Sequence, residues 1–211
     1  MSEPHDRYLS LIDHLGELRG RLIKMAYVIF TGALACWFFN EEIFSFIRAP
    51  IAPFLPASGL VFTGVIDKFM AYIKLSMLSG AILTGPLWLY QVWAFVAPGL
   101  YRKERRYAVS FIASGAVLFL GGCSFVYFLV YPAAFKFLLN FGNPADHPMI
   151  TIDNYISFFL TTTLIFGLAF ELPLVIVLLG IMGIIDHKFL REKRRYAIVL
   201  LAVFCAIVTP P

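Results

Sequence analysis

The residues of this sequence that could do chemistry are few, and most of them are acids. Glu171 stands alone in the apolar run Ala169-Phe170-Glu171-Leu172-Pro173. An acid at the centre of a membrane helix costs about 2.5–3.5 kcal/mol on insertion scales, so it needs a reason to be there. Pro173 adds to the polarity: it donates no backbone hydrogen bond, and its ring displaces the carbonyl of Ala169. A carboxyl and a freed carbonyl on one kinked helix imply a polar pocket that faces protein or water rather than lipid. A buried polar group that only fixes helix packing is the plainer alternative. Glu104 is an acid inside the basic run Arg102-Lys103-Glu104-Arg105-Arg106. Glu17 precedes Arg21 by one helical turn, and such a pair contributes about 0.2–0.5 kcal/mol. Local ion pairs account for Glu17 and Glu104.

Other chemistry is missing from the motifs. No Ser-His-Asp arrangement, HExxH, GxGxxG or phosphate-binding loop occurs. Cys36, Cys123 and Cys205 are isolated in apolar stretches, which supports neither a disulfide framework nor a metal site. His5, His14, His147 and His187 lie outside the apolar windows and form no cluster with metal-ligand spacing. The expectation is therefore a protein that is not an enzyme and has no cofactor, no metal and no nucleic-acid partner.

The elements that must position these acids are membrane helices. The 211 residues are 60% hydrophobic and only 14% charged, with 22 Phe and a mean hydropathy of +0.82. A soluble domain carries about 25% charged residues, so this composition cannot clothe a water-facing surface. A helical crossing needs roughly 20 apolar residues. Five windows qualify as spans, near 22–40, 70–98, 107–132, 154–184 and 196–209. Long continuous runs, rather than ten-residue alternating segments, exclude a barrel. The longer windows are expected to tilt or kink. Ala33-Leu34-Ala35 has the look of a cleavage site, but a segment of 24 residues containing Glu3, Asp6, Asp13 and Glu17 precedes the first span, so that span is read as permanent. The fold class is an all-α integral membrane protein, a polytopic helical bundle forming a single domain over 1–211.

All but four of the 17 Lys and Arg residues fall in the N-terminal segment and in loops 99–106 and 185–195. The exceptions are Arg48, Lys68, Lys74 and Lys136. Positive charge gathers on the cytoplasmic side, so a cytoplasmic N-terminus is expected. That orientation makes 41–68 an external loop. It carries the amphipathic stretch Ile43-Phe44-Ser45-Phe46-Ile47 followed by Pro50, Pro53 and Pro56, and a structured cap over the helix ends is expected. Before the fourth span, either Thr151 or Asp153 could cap the helix. Leu11, Leu15, Leu18 and Leu22 make an apolar stripe on the N-terminal helix. A small proton-coupled transporter using Glu171 as carrier remains open on these features.

Five segments in order then resemble one family. His14-Leu15-Gly16-Glu17-Leu18-Arg19-Gly20-Arg21-Leu22 resembles the H-L-x-E-L-R-x-R-L signature of TatC, the core subunit of the twin-arginine translocase. Ala49-Pro50 resembles its cap proline, and Tyr90 to Tyr101 with Glu104-Arg105-Arg106 resembles its first cytoplasmic-loop motif. Phe170-Glu171-Leu172-Pro173 resembles its F-E-x-P motif, and Thr209-Pro210-Pro211 the T-P-P after its fifth span. The resemblance runs from Asp13 to the last residue. Its family has six spans, so a chain stopping at Pro211 reads as truncated.

The resemblance implies a receptor in the bacterial cytoplasmic (inner) membrane. It would bind twin-arginine signal peptides of folded cargo at the cytoplasmic face. Transport would be driven by the proton-motive force, with TatA-type and TatB-type single-span partners, in a homo- or hetero-oligomer surrounded by membrane lipid. Carried over residue by residue, it assigns signal-peptide binding to Glu17, Arg19, Phe95, Glu104 and Arg106, a membrane-embedded function to Glu171 and Pro173, and a structural cap role to Pro50.

Overall fold

The computed structural model describes residues 11–55, 59–96, 108–141, 149–181, 183, 185, 191–196, 198–199 and 202–203. Among them it is all helical, apart from a single bridge between Val61 and Thr151. The first helix, α1 (Leu11–Phe38), is unbroken from the amphipathic segment through the first apolar window. The chain turns at Phe39 into α2 (Asn40–Arg48) and a 3-10 turn (Ala52–Phe54). It then returns through α3 (Asp67–Leu83) and α4 (Gly85–Val96). After residue 107 come α5 (Ala108–Phe125), a π-helical turn (Val126–Val130) and α6 (Tyr131–Leu139). Next come α7 (Ile152–Ala169) and α8 (Leu172–Ile181), and residues 191–196, 198–199 and 202–203 are helical as well. Among the described residues, three helical stretches (Leu15–Phe38, Ser110–Leu139 and Ile152–Ile181) are long and apolar enough to cross a membrane, or four if α3 and α4 count as one bent span. Most of the fifth window, 196–209, lies outside the described residues.

Two helix ends meet at the Val61–Thr151 bridge. Val61 N–H donates to the Ile150 carbonyl at 3.0 Å, and Ile152 N–H donates to the Val61 carbonyl at 2.8 Å. Lys74, two turns into α3, pairs with Asp153 in the first turn of α7 at 2.6 Å. Asp153 is thereby drawn away from capping, and Thr151 is the residue that caps α7, its Oγ1 accepting from Asn154 N–H at 3.3 Å. α1 packs on α3 and α4, α7 on α3 and α5, and α5 on α4.

Each break has a local cause. α3 and α4 meet at 56° around Thr84. Pro86 lacks the N–H that would continue the helix, and Gly85 lets the Phe119 ring approach. Thr84 Oγ1 returns to the Gly80 carbonyl at 2.7 Å, and Trp88 Nε1 satisfies the Ala81 carbonyl at 2.8 Å. The π turn precedes Pro132, whose missing donor spoils the regular ladder one turn back. The helix carrying the third apolar window runs on through the π turn to Leu139.

The α2 end of the bundle is capped. Ile47 and Ile51 are buried against Ala71, Leu75, Tyr131 and Tyr155 in one apolar cluster. Carbonyls at a helix C-terminus run out of helical donors, although the Phe46 carbonyl still accepts from the Ala49 N–H at 3.2 Å. Two tyrosines from other helices serve them: Tyr155 donates to the Ile47 carbonyl at 2.6 Å, and Tyr127 to the Phe46 carbonyl at 3.0 Å. Tyr155 is 2% exposed, so its phenol has no access to solvent. Tyr155→Phe leaves the Ile47 carbonyl buried without this donor, a loss of about 1–3 kcal/mol. Proteolysis within 41–55 should then rise relative to the unmodified chain, while Tyr127→Phe, at a half-buried site, should have the smaller effect. Equal susceptibility of Tyr155→Phe and the unmodified chain would refute the tie.

Candidate functional site

Glu17 lies on α1 near its start, half-buried, and holds Arg21: Oε1 accepts from Nη2 at 2.6 Å and from Nε at 3.0 Å. The structure thus realises the i,i+4 pair expected from spacing. Arg19 is two positions on and exposed. Phe95 is half-buried on the last turn of α4. Because α1 ends and α3 begins at the capped end, the start of α1 and the end of α4 share the other end of the bundle. Glu104 and Arg106 lie outside the described residues. Leu15, 63% exposed, and Leu22 show that the leucine stripe is not packed against the described bundle.

Pro50 follows Ala49, the C-cap of α2, with the buried Ile51 after it. Having no N–H, it leaves no donor to satisfy where α2 stops. Pro173 occupies the second position of α8, where a missing donor costs little.

Glu171 is the centre of the second site. It sits between α7 and α8, with Phe170 closing α7 and Glu171 N–H donating to the Leu168 carbonyl at 3.0 Å. The helix interruption expected at Pro173 is present. The side chain is 6% exposed, and neither carboxyl oxygen has a hydrogen-bond partner among the described residues. Trp93, 7% exposed, has an equally orphaned Nε1. Both border Gly115 of α5: a methyl group added there would come within 2.8 Å of Trp93 Nε1 and 3.2 Å of Glu171 Oε2. Three helical elements, α4, α5 and α8, thus surround one small polar space inside the apolar cluster of Leu89, Phe119, Cys123, Leu174 and Leu178. Buried polar atoms are normally paired, and here the Trp93 N–H and the Glu171 carboxyl face each other across that space.

Trp93 and Gly115 are the site residues that sequence reasoning missed. Trp93 stands within the quoted motif 90–101, but a tryptophan there reads as packing, and nothing local ties Gly115 to Glu171. Among the described residues no group of His, Cys, Asp and Glu could hold a metal ion.

Fold and site together define an integral membrane bundle that keeps an acid in its core. The family model for the Sec-independent protein translocase protein (TatC) matches residues 13–211. A TatC of Koribacter versatilis is 40% identical over 206 residues, covering 96% of this chain and 76% of the relative. The TatC of Escherichia coli K12 is 40% identical over 202 residues, covering 95% and 78%. A crystal structure titled Twin Arginine Translocase Receptor TatC superposes with a TM-score of 0.83 at 36% identity, covering 94% of this chain and 88% of that one. This chain belongs to the TatC family and is a component of a protein translocase, a transport protein rather than an enzyme.

Proposed function

We propose that this chain is the receptor of a twin-arginine translocase in the bacterial inner membrane. Its N-terminus is cytoplasmic, five spans fall within the sequence, and 1–211 folds as one transmembrane domain. The signal peptide's two arginines bind Glu17 and Glu104, with Arg19, Phe95 and Arg106 shaping the site. Glu171 and Pro173 form a membrane-embedded polar element that serves TatA-type and TatB-type partners during transport driven by the proton-motive force. Pro50 holds the external cap.

The observation that supports the reading best is the shared end of α1 and α4. Glu17 and Phe95 both belong to it, and the chain leaves α4 there toward the loop that contains Glu104. Membership of the TatC family and the likeness to a twin-arginine translocase receptor agree with it. The Glu17–Arg21 pair adds a physical condition: an incoming guanidinium must displace Arg21 or share the carboxylate with it. The basic residues flanking Glu104 repel the ligand, so they must also rearrange or pair as it docks.

Each charge-assisted bond to a guanidinium contributes about 1.5–3 kcal/mol, which is roughly a ten- to hundredfold change in Kd. Glu104→Gln should weaken binding of a twin-Arg peptide in nanodiscs by that factor, and Glu104→Ala at least as much. A twin-Lys peptide should bind the unmodified protein weakly and lose little in either variant. Unchanged twin-Arg affinity in both variants would dismiss the assignment.

A further inference from the structure

We propose that the capped end of the bundle holds one bilayer aminophospholipid, with its head group in a charged cavity and an acyl chain in an adjoining apolar one. The first cavity, about 600 Å³, opens between the last turn of α1, the first turn of α2 and the first turns of α3. Its walls carry charges of both signs: Glu41 and Glu42 on α2, and Lys68 on α3. Among the described residues these three form no ion pair with one another; Lys68 lies instead over the Tyr72 ring at 5.8 Å. Two carboxylates and one ammonium held apart across a cavity are complementary to a zwitterion. A primary ammonium donates to the carboxylates, and a phosphate accepts from Lys68. Trp37, in edge contact with Phe69 at 6.2 Å, supplies the aromatic wall that favours both a cation and the membrane interface. The placement of both acids in the first turn of α2 eases that helix's dipole, but it does not require a cavity or Lys68.

The second cavity, about 470 Å³, has walls that are almost entirely apolar and include Phe46, Leu120, Tyr127 and Leu160. Glu42 lines both cavities. On α3, Lys68 and Tyr72 border the first, and Ser79 and Leu83 border the second. Spacings of four and seven residues keep Lys68, Tyr72, Ser79 and Leu83 on one face of the helix. At 1.5 Å per residue that face runs about 22 Å from Lys68 to Leu83, the scale of a lipid from phosphate into the hydrocarbon. A polar chamber near one membrane level, continued by an apolar chamber deeper in, has the amphipathic order of a lipid and not of a water-soluble ligand.

Native mass spectrometry of the full chain, delipidated in detergent, tests this. Phosphatidylethanolamine, phosphatidylcholine and phosphatidylglycerol are offered in competition at equal concentration. Phosphatidylethanolamine should remain as a one-to-one adduct with at least tenfold preference over phosphatidylglycerol, and phosphatidylcholine, which cannot donate from its nitrogen, should fall between. The double variant Glu41→Gln with Glu42→Gln should abolish the preference. Lys68→Gln should lower retention of all three. Leu120→Trp, which fills the apolar chamber, should lower retention without altering the preference. Equal retention of the three lipids by the unmodified chain overturns the proposal, and that arm needs no variant to fold. Preference for phosphatidylglycerol overturns it too, as does an ethanolamine preference that survives the double Gln variant.

Discussion

Gly80→Ala is expected to destabilise the bundle more than alanine at any exposed glycine, because α1 and α3 cross there backbone to backbone. A Cβ at Gly80 would lie 2.6 Å from the Ala33 Cα and 2.7 Å from the Gly32 carbonyl carbon. Neither is a side chain that can rotate away, so the helices must separate. Opposite, Gly32 faces the Gly80 carbonyl, and together they form a small-residue contact of the kind that holds helices together in lipid. Overpacking typically costs about 1–3 kcal/mol, and here the separation also loosens the buried Ser76 to Asn40 hydrogen bond at 2.8 Å. Gly121→Ala is the matched control, since nothing lies within 4 Å of a Cβ there. Alanine in an unencumbered helix is better than glycine by about 0.5–1 kcal/mol. The two substitutions should therefore move the detergent unfolding temperature in opposite directions. A Gly80→Ala protein as stable as Gly121→Ala would mean that the crossing is looser than described.

That crossing was not legible in the sequence, although both glycines were visible. Small-residue pairs recur throughout apolar helices, and only the third dimension says which pair meets a partner. What could be read were features whose cause is local. The interruption between α7 and α8 follows from Pro173, and the Thr151 cap from a hydroxyl three residues before Asn154. The apolar windows follow from composition alone. The bend at Thr84 had a local cause in Gly85-Pro86, but its 56° depends on Phe119 and Trp88 packing around it. The ties from Tyr155 and Tyr127 to α2 span 108 and 81 residues, and no periodicity encodes them. Asp153 shows the same limit in reverse: its helix-start position suited a cap, and Lys74, 79 residues away, claimed it.

The candidate site divides along the same line. Glu171 was conspicuous because an acid in an apolar run violates the local rule, and such violations gather at functional or strained places. Trp93 and Gly115 violate nothing locally, yet they decide what Glu171 can do. A glycine keeps the space open, and an indole N–H offers a donor to whatever enters it.

Those three residues define the last expected result. Glu171→Ala removes the acceptor and leaves Trp93 Nε1 facing an apolar space, so transport in the full-length protein should fall sharply. Twin-Arg peptide binding should stay near normal, because the proposed acceptors of the two guanidiniums are Glu17 and Glu104 and not Glu171, even though Trp93 is two residues from Phe95 on α4. Glu171→Gln keeps the side chain's length and an acceptor oxygen, so it should be mild if hydrogen bonding is the function. If Gln were as damaging as Ala, a charge or a proton transfer would be the function instead. Gly115→Ala supplies the independent arm, since it leaves every polar group in place and fills only the space between them. The added methyl would press on Trp93 Nε1 at 2.8 Å and Glu171 Oε2 at 3.2 Å, both on side chains that can shift. The fold should survive and transport should fall, reproducing Glu171→Ala without touching the acid. Normal transport by Glu171→Ala would demote the carboxyl to a tolerated polar group. Normal transport by Gly115→Ala alongside a defective Glu171→Ala would show that the acid acts without anything entering the space beside it.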